Sequence, residues 1–156
     1  MDLTDLPNRV RALLEPNDPW ISNASNFVAL VHDALPQASW TGVYLTWDDA
    51  LTLGPFQGPT ACVRIAYDRG VCGAAFSRGE TLVVPDVHAF PGHIACDPTS
   101  QSEVVVPLQA ADGRTVGVLD VDSRSPAAFS DAEAELLAAA ARAAAERFDW
   151  GDRSWR

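Results

Sequence analysis

The sequence predicts an α+β fold, one antiparallel sheet of six strands with the N- and C-terminal helices packed on one face. Three observations carry this. Apolar residues recur at helical spacing near both ends. The middle of the chain is β-branched and aromatic in short runs. Turn residues separate those runs. In order, residues 4–14 form an amphipathic helix that Pro16 and Pro19 end. SNASNFVALVHDAL forms a second helix, from about Ser22 as its cap to Leu35. WTGVYLTW (40–47), ALTLGPF (50–56) and ACVRIAY (61–67) are three strands broken by Asp-Asp and Gly-Pro turns. A short helix follows Gly70 (VCGAAFSR), then a strand at TLVVP (81–85). SEVVVPLQ (102–109) and TVGVLDVDS (115–123) pair across an ADGR turn. SDAEAELLAAAARAAAERF closes the chain as a helix, with Ser130 as cap and Glu133 completing a capping box.

Composition narrows the function classes. The 156 residues suit one domain over 1–156, with its core at about 22–146, and no apolar run is long enough to span a bilayer. The first residues, MDLTDLPNRVRALLEPNDP, have early acids and no apolar segment, unlike a secretory signal, so a cytoplasmic location is expected. All 11 basic residues are arginine against 21 acids, a net charge of -10. Such a surface repels a phosphate backbone or an anionic membrane, so neither nucleic acid nor membrane is an expected partner.

Cys62, Cys72 and Cys96 are odd in number and cannot all pair. Each could be a small buried packing residue. Cys96, however, lies in DVHAFPGHIACDPTSQ, a polar loop spanning about 85–101 that is too long for an ordinary connector and leaves a thiol reachable. Cys72 precedes Gly73 at the expected start of a helix, where unpaired N–H groups favour a thiolate. Cys62 falls within the expected third strand. Three thiols with one in such a loop suit a redox cycle of attack and resolution. Zinc is the rival, but the spacing C-x9-C-x15-H-x4-H-x2-C contains no short paired knuckle. His88 and His93 read as hydrogen-bonding loop residues before ligands or bases.

Asp120 and Asp122 lie two apart in a strand and share a face, and Glu103 opens the neighbouring strand. Carboxylates in such strands either face water at an end or line a polar cleft, where they would bind an ammonium and crowding would raise one pKa. Trp40 fits a core position or an apolar wall for a small ligand. Trp47, Trp150 and Trp155 support no such argument, the last two falling in a tail expected to fray.

LGPFQGPTACVRI (53–65), RGVCGAA (69–75), VPDVHAFPGHIACD (84–97), SEVVVPL (102–108) and GVLDVDS (117–123) together resemble the free methionine-(R)-sulfoxide reductases, a family of GAF-domain enzymes, over about residues 22–146. The resemblance implies a six-stranded GAF sheet with a ligand pocket under loops. It implies Cys96 as nucleophile, Cys62 as the main resolving thiol and Cys72 as a second resolving or pocket-lining thiol. Glu103, Asp120 and Asp122 match the pocket acids, with Asp122 and Glu103 toward the sulfoxide oxygen. Trp40, against the substrate methyl, and Tyr44 join them in binding. No metal or bound cofactor is implied; the reductant would be thioredoxin, and the assembly a homodimer. The alternative is a GAF module that senses a small molecule without turnover. Ala66-Tyr67-Asp68 and Pro98 depart from the family pattern in loop positions, and the tail after Phe148 has no counterpart in it.

Overall fold

The computed structural model describes residues 2–94 and 96–154. Six strands, β1 (Trp40–Trp47), β2 (Ala50–Gln57), β3 (Arg64–Ala66), β4 (Leu82–Val84), β5 (Ser102–Gln109) and β6 (Thr115–Ser123), form one sheet in the order β3-β2-β1-β6-β5-β4. Every adjacent pair is antiparallel. Helices α1 (Leu6–Leu13), α2 (Trp20–Ala34) and α4 (Asp131–Ala145) cover one face, as expected. There Val43, Leu45, Val104, Val106, Leu119 and Val121 of the sheet share a core with Phe27, Val31 and Leu137 of the helices. Period-two alternation sends their neighbours Tyr44, Val105 and Val118 to the opposite face, into a second, smaller core. A fourth helix, α3 (Gly70–Arg78), packs there through Val71, Cys72 and Ala75. The sequence reading placed the N- and C-terminal helices on one face and left the packing of the short helix after Gly70 open; that helix, α3, forms a wall of the site described below.

Several boundaries differ from the sequence expectation. The second helix starts at Trp20, because Pro19 takes the capping place and its carbonyl accepts from the Ser22 N–H at 2.9 Å. Ser22 is thus inside the first turn and is not the cap. The third strand is three residues long, so Cys62 lies before it rather than within it. The tail is not frayed at Trp150, whose indole is fully buried against Phe27 and Phe148 at ring-centroid distances of 5.6 and 4.5 Å. Trp155 lies outside the described residues. The capping box of α4 forms as expected, Ser130 Oγ accepting from the Glu133 N–H and the Glu133 carboxylate from the Ser130 N–H.

Candidate active site

The site grows from the sheet face opposite the long helices. Trp40 of β1 is in register with Asp122 of β6, and Asp122 with Glu103 of β5, so three strands place these residues in one row. One row along, Gly42 faces Asp120, and Asp120 faces Val105. Trp40 and Tyr44 are two pleats apart on β1 and stack at 5.9 Å. The indole of Trp40 also stacks on Phe56 at 5.6 Å, giving the row an apolar end.

Two loops and α3 roof this row. After β2 the chain leaves the sheet edge, and Gly58 turns it with φ +122°, where an added Cβ would lie 2.8 Å from the Ser39 carbonyl oxygen. The segment is then held over β1 by two hydrogen bonds to its backbone. Trp40 Nε1–H donates to the Pro59 carbonyl at 3.0 Å, and Tyr44 O–H donates to the Cys62 carbonyl at 2.9 Å. This is why the third strand begins late: residues 59–62 roof the site instead of extending the sheet. From the other side comes the loop after β4, with one 3-10 turn at Val87–Ala89. Cys96 in that loop and Cys62 form a disulfide with a Cα–Cα distance of 5.5 Å, an ordinary spacing for the bond.

A cleft of about 590 Å³, counting its open mouth, lies between these parts. Cys96, Cys72, Glu103, Asp120, Asp122, Trp40 and Tyr44 all line it, so seven of the eight residues singled out in the sequence meet in one place. Cys62, the eighth, is outside the lining and reaches the cleft through its bond to Cys96. His93 lines the cleft, and His88 stands edge-on to it with ring centroids 6.2 Å apart. Arg69, Asp97 and Ser100 also line it and carried no sequence argument of their own. Cleft-facing contact at the start of a helix or the end of a loop leaves no periodic trace.

Burial sets the protonation of the cluster. Glu103 and Asp120 are each 6% exposed, and Cys72 is 4% exposed. Desolvation first, then the neighbouring carboxylates, push Glu103 well above the ordinary carboxylate range. Asp122 moves the same way for the same reasons. Asp120 is raised to about 6, chiefly by desolvation, with hydrogen bonds from Glu103 and Cys72 opposing the rise. The cleft therefore holds protons on carboxyl groups near neutral pH. Cys72 is the third residue of α3, yet burial and then Asp120 and Glu103 push its thiol up, overriding the pull toward thiolate expected of a helix start. It is a free thiol that donates to Glu103 Oε1 at 3.8 Å. Among the described residues, Cys72, Glu103 and Asp120 each offer an atom within 4.8 Å of the others, a spacing that could hold a cation once their protons had left.

The arrangement is thus a dithiol–disulfide pair at the edge of a cleft whose floor carries protonated carboxyls, on a curled antiparallel sheet. The GAF domain family matches residues 22–148. The free methionine-R-sulfoxide reductase of Escherichia coli is 44% identical over 133 residues, covering 85% of this chain and 80% of the relative. The crystal structure of free methionine-R-sulfoxide reductase from Neisseria meningitidis, in complex with its substrate, superposes with a TM-score of 0.82 at 44% identity, covering 93% of this chain and 84% of that one. The reduced form of fRMsr from Staphylococcus aureus superposes with a TM-score of 0.87 at 43% identity, covering 93% and 94%. The chain is a GAF-domain protein, and it belongs to the free methionine-R-sulfoxide reductase family.

Proposed function

We infer that this chain reduces free L-methionine-(R)-sulfoxide to methionine, with Cys96 as the nucleophile. One observation carries the reading: the Cys96 side of the disulfide opens on the same cleft as Glu103, Asp120 and Asp122. A sulfoxide yields its oxygen only when that oxygen is protonated as sulfur is attacked, so thiolate and acid are needed together. In this reading the reduced Cys96 thiolate attacks the sulfoxide sulfur while Asp122, with Glu103, supplies a proton to the oxygen. Methionine leaves and Cys96 is left as sulfenic acid. The Cys62 thiol attacks that sulfur, water leaves and the disulfide forms. Asp120 and its neighbours hold the substrate ammonium, and Trp40 with Tyr44 packs against the methyl group, which selects the R configuration. Cys72 keeps its proton and serves Glu103 as a hydrogen-bond donor, while Cys62 resolves.

The cycle closes when an external dithiol protein, thioredoxin by family analogy, reduces the disulfide by exchange. In support, Cys62 and Cys96 are only half-buried and Val63 beside them is 60% exposed, a small apolar landing for such a partner. We read the 156 residues as one GAF unit acting in the cytoplasm as a homodimer; among the described residues no helix is long and apolar enough to cross a membrane.

The test supplies thioredoxin, its reductase and NADPH, and follows NADPH loss with the R and S epimers of free methionine sulfoxide. Turnover of the R epimer alone, abolished in Cys96→Ser, is expected. Cys62→Ser is expected to complete about one turnover per chain and stop, for want of a resolving thiol. Equal rates on the two epimers, or full activity in Cys96→Ser, would refute the mechanism, and binding without turnover would return the chain to the sensor reading.

A further inference from the structure

The two sulfurs of the disulfide have different surroundings. Cys96 lines the cleft and Cys62 does not. The cleft, about 590 Å³ with its mouth, admits an amino acid but not a folded protein. Exchange requires a thiolate that can reach one sulfur from the side away from the other, so a protein reductant meets this bond at Cys62. The surface there is already formed. The Cys62 carbonyl accepts from the Tyr44 O–H at 2.9 Å, and the Val63 carbonyl accepts from the Leu53 N–H at 2.9 Å. These bonds fix the segment, so little ordering is left to oppose docking. Among the described residues three large apolar side chains are exposed, Leu13, Trp47 and Val63, and Val63 is the one next to the disulfide.

Charge marks the same side of the molecule. Arg64 follows Val63 and is exposed. Arg69, also exposed, lines the cleft together with Cys96. Arg124 is exposed as well; its guanidinium donates to Thr99 Oγ1 at 3.0 Å and lies 3.9 Å from Asp97, the neighbour of Cys96. Asp97 is matched by that pairing, and Asp68 is the exposed acid beside Arg69. Three arginines thus surround the bridge in a chain of 21 acids and net charge -10. An acidic partner is repelled by the molecule as a whole and drawn to this side of it.

We propose that Val63, Arg64, Arg69 and Arg124 form the docking surface for an acidic dithiol protein, and that its thiolate attacks Cys62 and not Cys96. This rests on the reductase reading and deepens it. The partner's thiolate bonds to Cys62 Sγ as the Cys62–Cys96 bond breaks, and Cys96 leaves as the thiolate that the next turnover uses. The partner's second thiol, giving up its proton, attacks the partner's own sulfur in the mixed disulfide and releases Cys62, which takes a proton. The partner ends as a disulfide, and two electrons have passed to the enzyme.

The experiment follows turnover of methionine-(R)-sulfoxide with two reductants, thioredoxin and the small uncharged dithiothreitol. With thioredoxin, kcat/KM for the reductant is expected to fall roughly fivefold between about 20 and 300 mM salt, while the dithiothreitol rate is expected to hold. Arg64→Glu is expected to lose about tenfold in kcat/KM for thioredoxin and Arg64→Lys to keep it, with dithiothreitol rates equal in all three proteins. A second measurement uses the wild-type enzyme alone. The oxidised protein is mixed with thioredoxin whose second active-site cysteine is serine, quenched in acid and alkylated, and the adduct is mapped by mass spectrometry. Thioredoxin is expected on Cys62, with Cys96 free and alkylated. Attachment to Cys96 would overturn the proposal, as would a thioredoxin rate indifferent to both salt and Arg64→Glu, and either result leaves the reductase intact. A wild type that turns over with neither reductant would overturn the reductase reading and the docking surface together.

Discussion

At the scale of single residues, the cleft turns on carboxyl groups that burial keeps protonated. Asp120 is raised from 3.8 to about 6. Between these values the folded chain holds its proton while the unfolded chain has released it. The stabilisation from that proton is complete below about pH 4 and is lost as pH rises through about 6, a fall of about 3 kcal/mol. Asp120→Asn has no such proton to lose. Its stability relative to the wild type is therefore expected to improve from pH 4 to pH 7.5 in urea titrations, and an offset constant across that range would contradict the argument. Cys72 is the second residue with a sharp expectation. Cys72→Ser keeps a donor for Glu103, so steady-state turnover is expected to stay within roughly threefold of the wild type, whereas Cys72→Ala removes the donor and is expected to shift the pH profile of kcat upward. A Cys72→Ser enzyme that stops after one turnover would move the resolving step to Cys72.

At the scale of elements, β1 is the strand that converts sheet register into a binding wall. The Trp40 indole lies along its own strand over Gly42. A Cβ on Gly42 would collide with Trp40 Cη2 and approach Phe56 Cβ to 2.7 Å. Gly42→Ala is therefore expected to displace the indole, destabilise the fold by about 1–3 kcal/mol and raise KM for the substrate, as measured by denaturation and steady-state kinetics. Wild-type KM in that variant would mean the indole does not contact the substrate. The same element shows what the sequence discloses. β1, β2, β5, β6 and α4 are legible because alternation, turn residues and the Ser130–Glu133 box each act locally. The shared face of Asp120 and Asp122 follows from strand period alone, and the residue blocks around Cys62, Cys72 and Cys96 identify the family. Less legible is whatever depends on partners distant in the chain. Residues 61–63 have strand composition, but bonds from Trp40 and Tyr44 hold the nearby backbone over the cleft. Trp150 looks like tail until Phe27 of α2 is placed beside it. Ser100 differs from any loop serine only in being buried without a partner.

At the scale of the whole molecule, catalytic state and stability are tied by one bond. The Cys62–Cys96 disulfide joins the segment after β2 to the loop after β4, across 34 positions that include β3, α3 and β4. Closing a loop of that length restricts the unfolded chain by up to about 4 kcal/mol. Both bridged segments also roof the cleft, so reduction frees the roof at the moment the enzyme becomes competent to attack. The oxidised protein is therefore expected to melt roughly 10 °C above the reduced protein in calorimetry at fixed pH. One equivalent of methionine-(R)-sulfoxide added to the reduced wild type, without reductase, is expected to restore the higher transition, because turnover itself makes the bond. Cys62→Ser cannot form the bridge and is expected to melt at one temperature whatever the reductant or substrate history. A wild type whose melting ignores reductant, or a Cys62→Ser protein that still responds to it, would separate the disulfide from both the stability and the catalytic cycle.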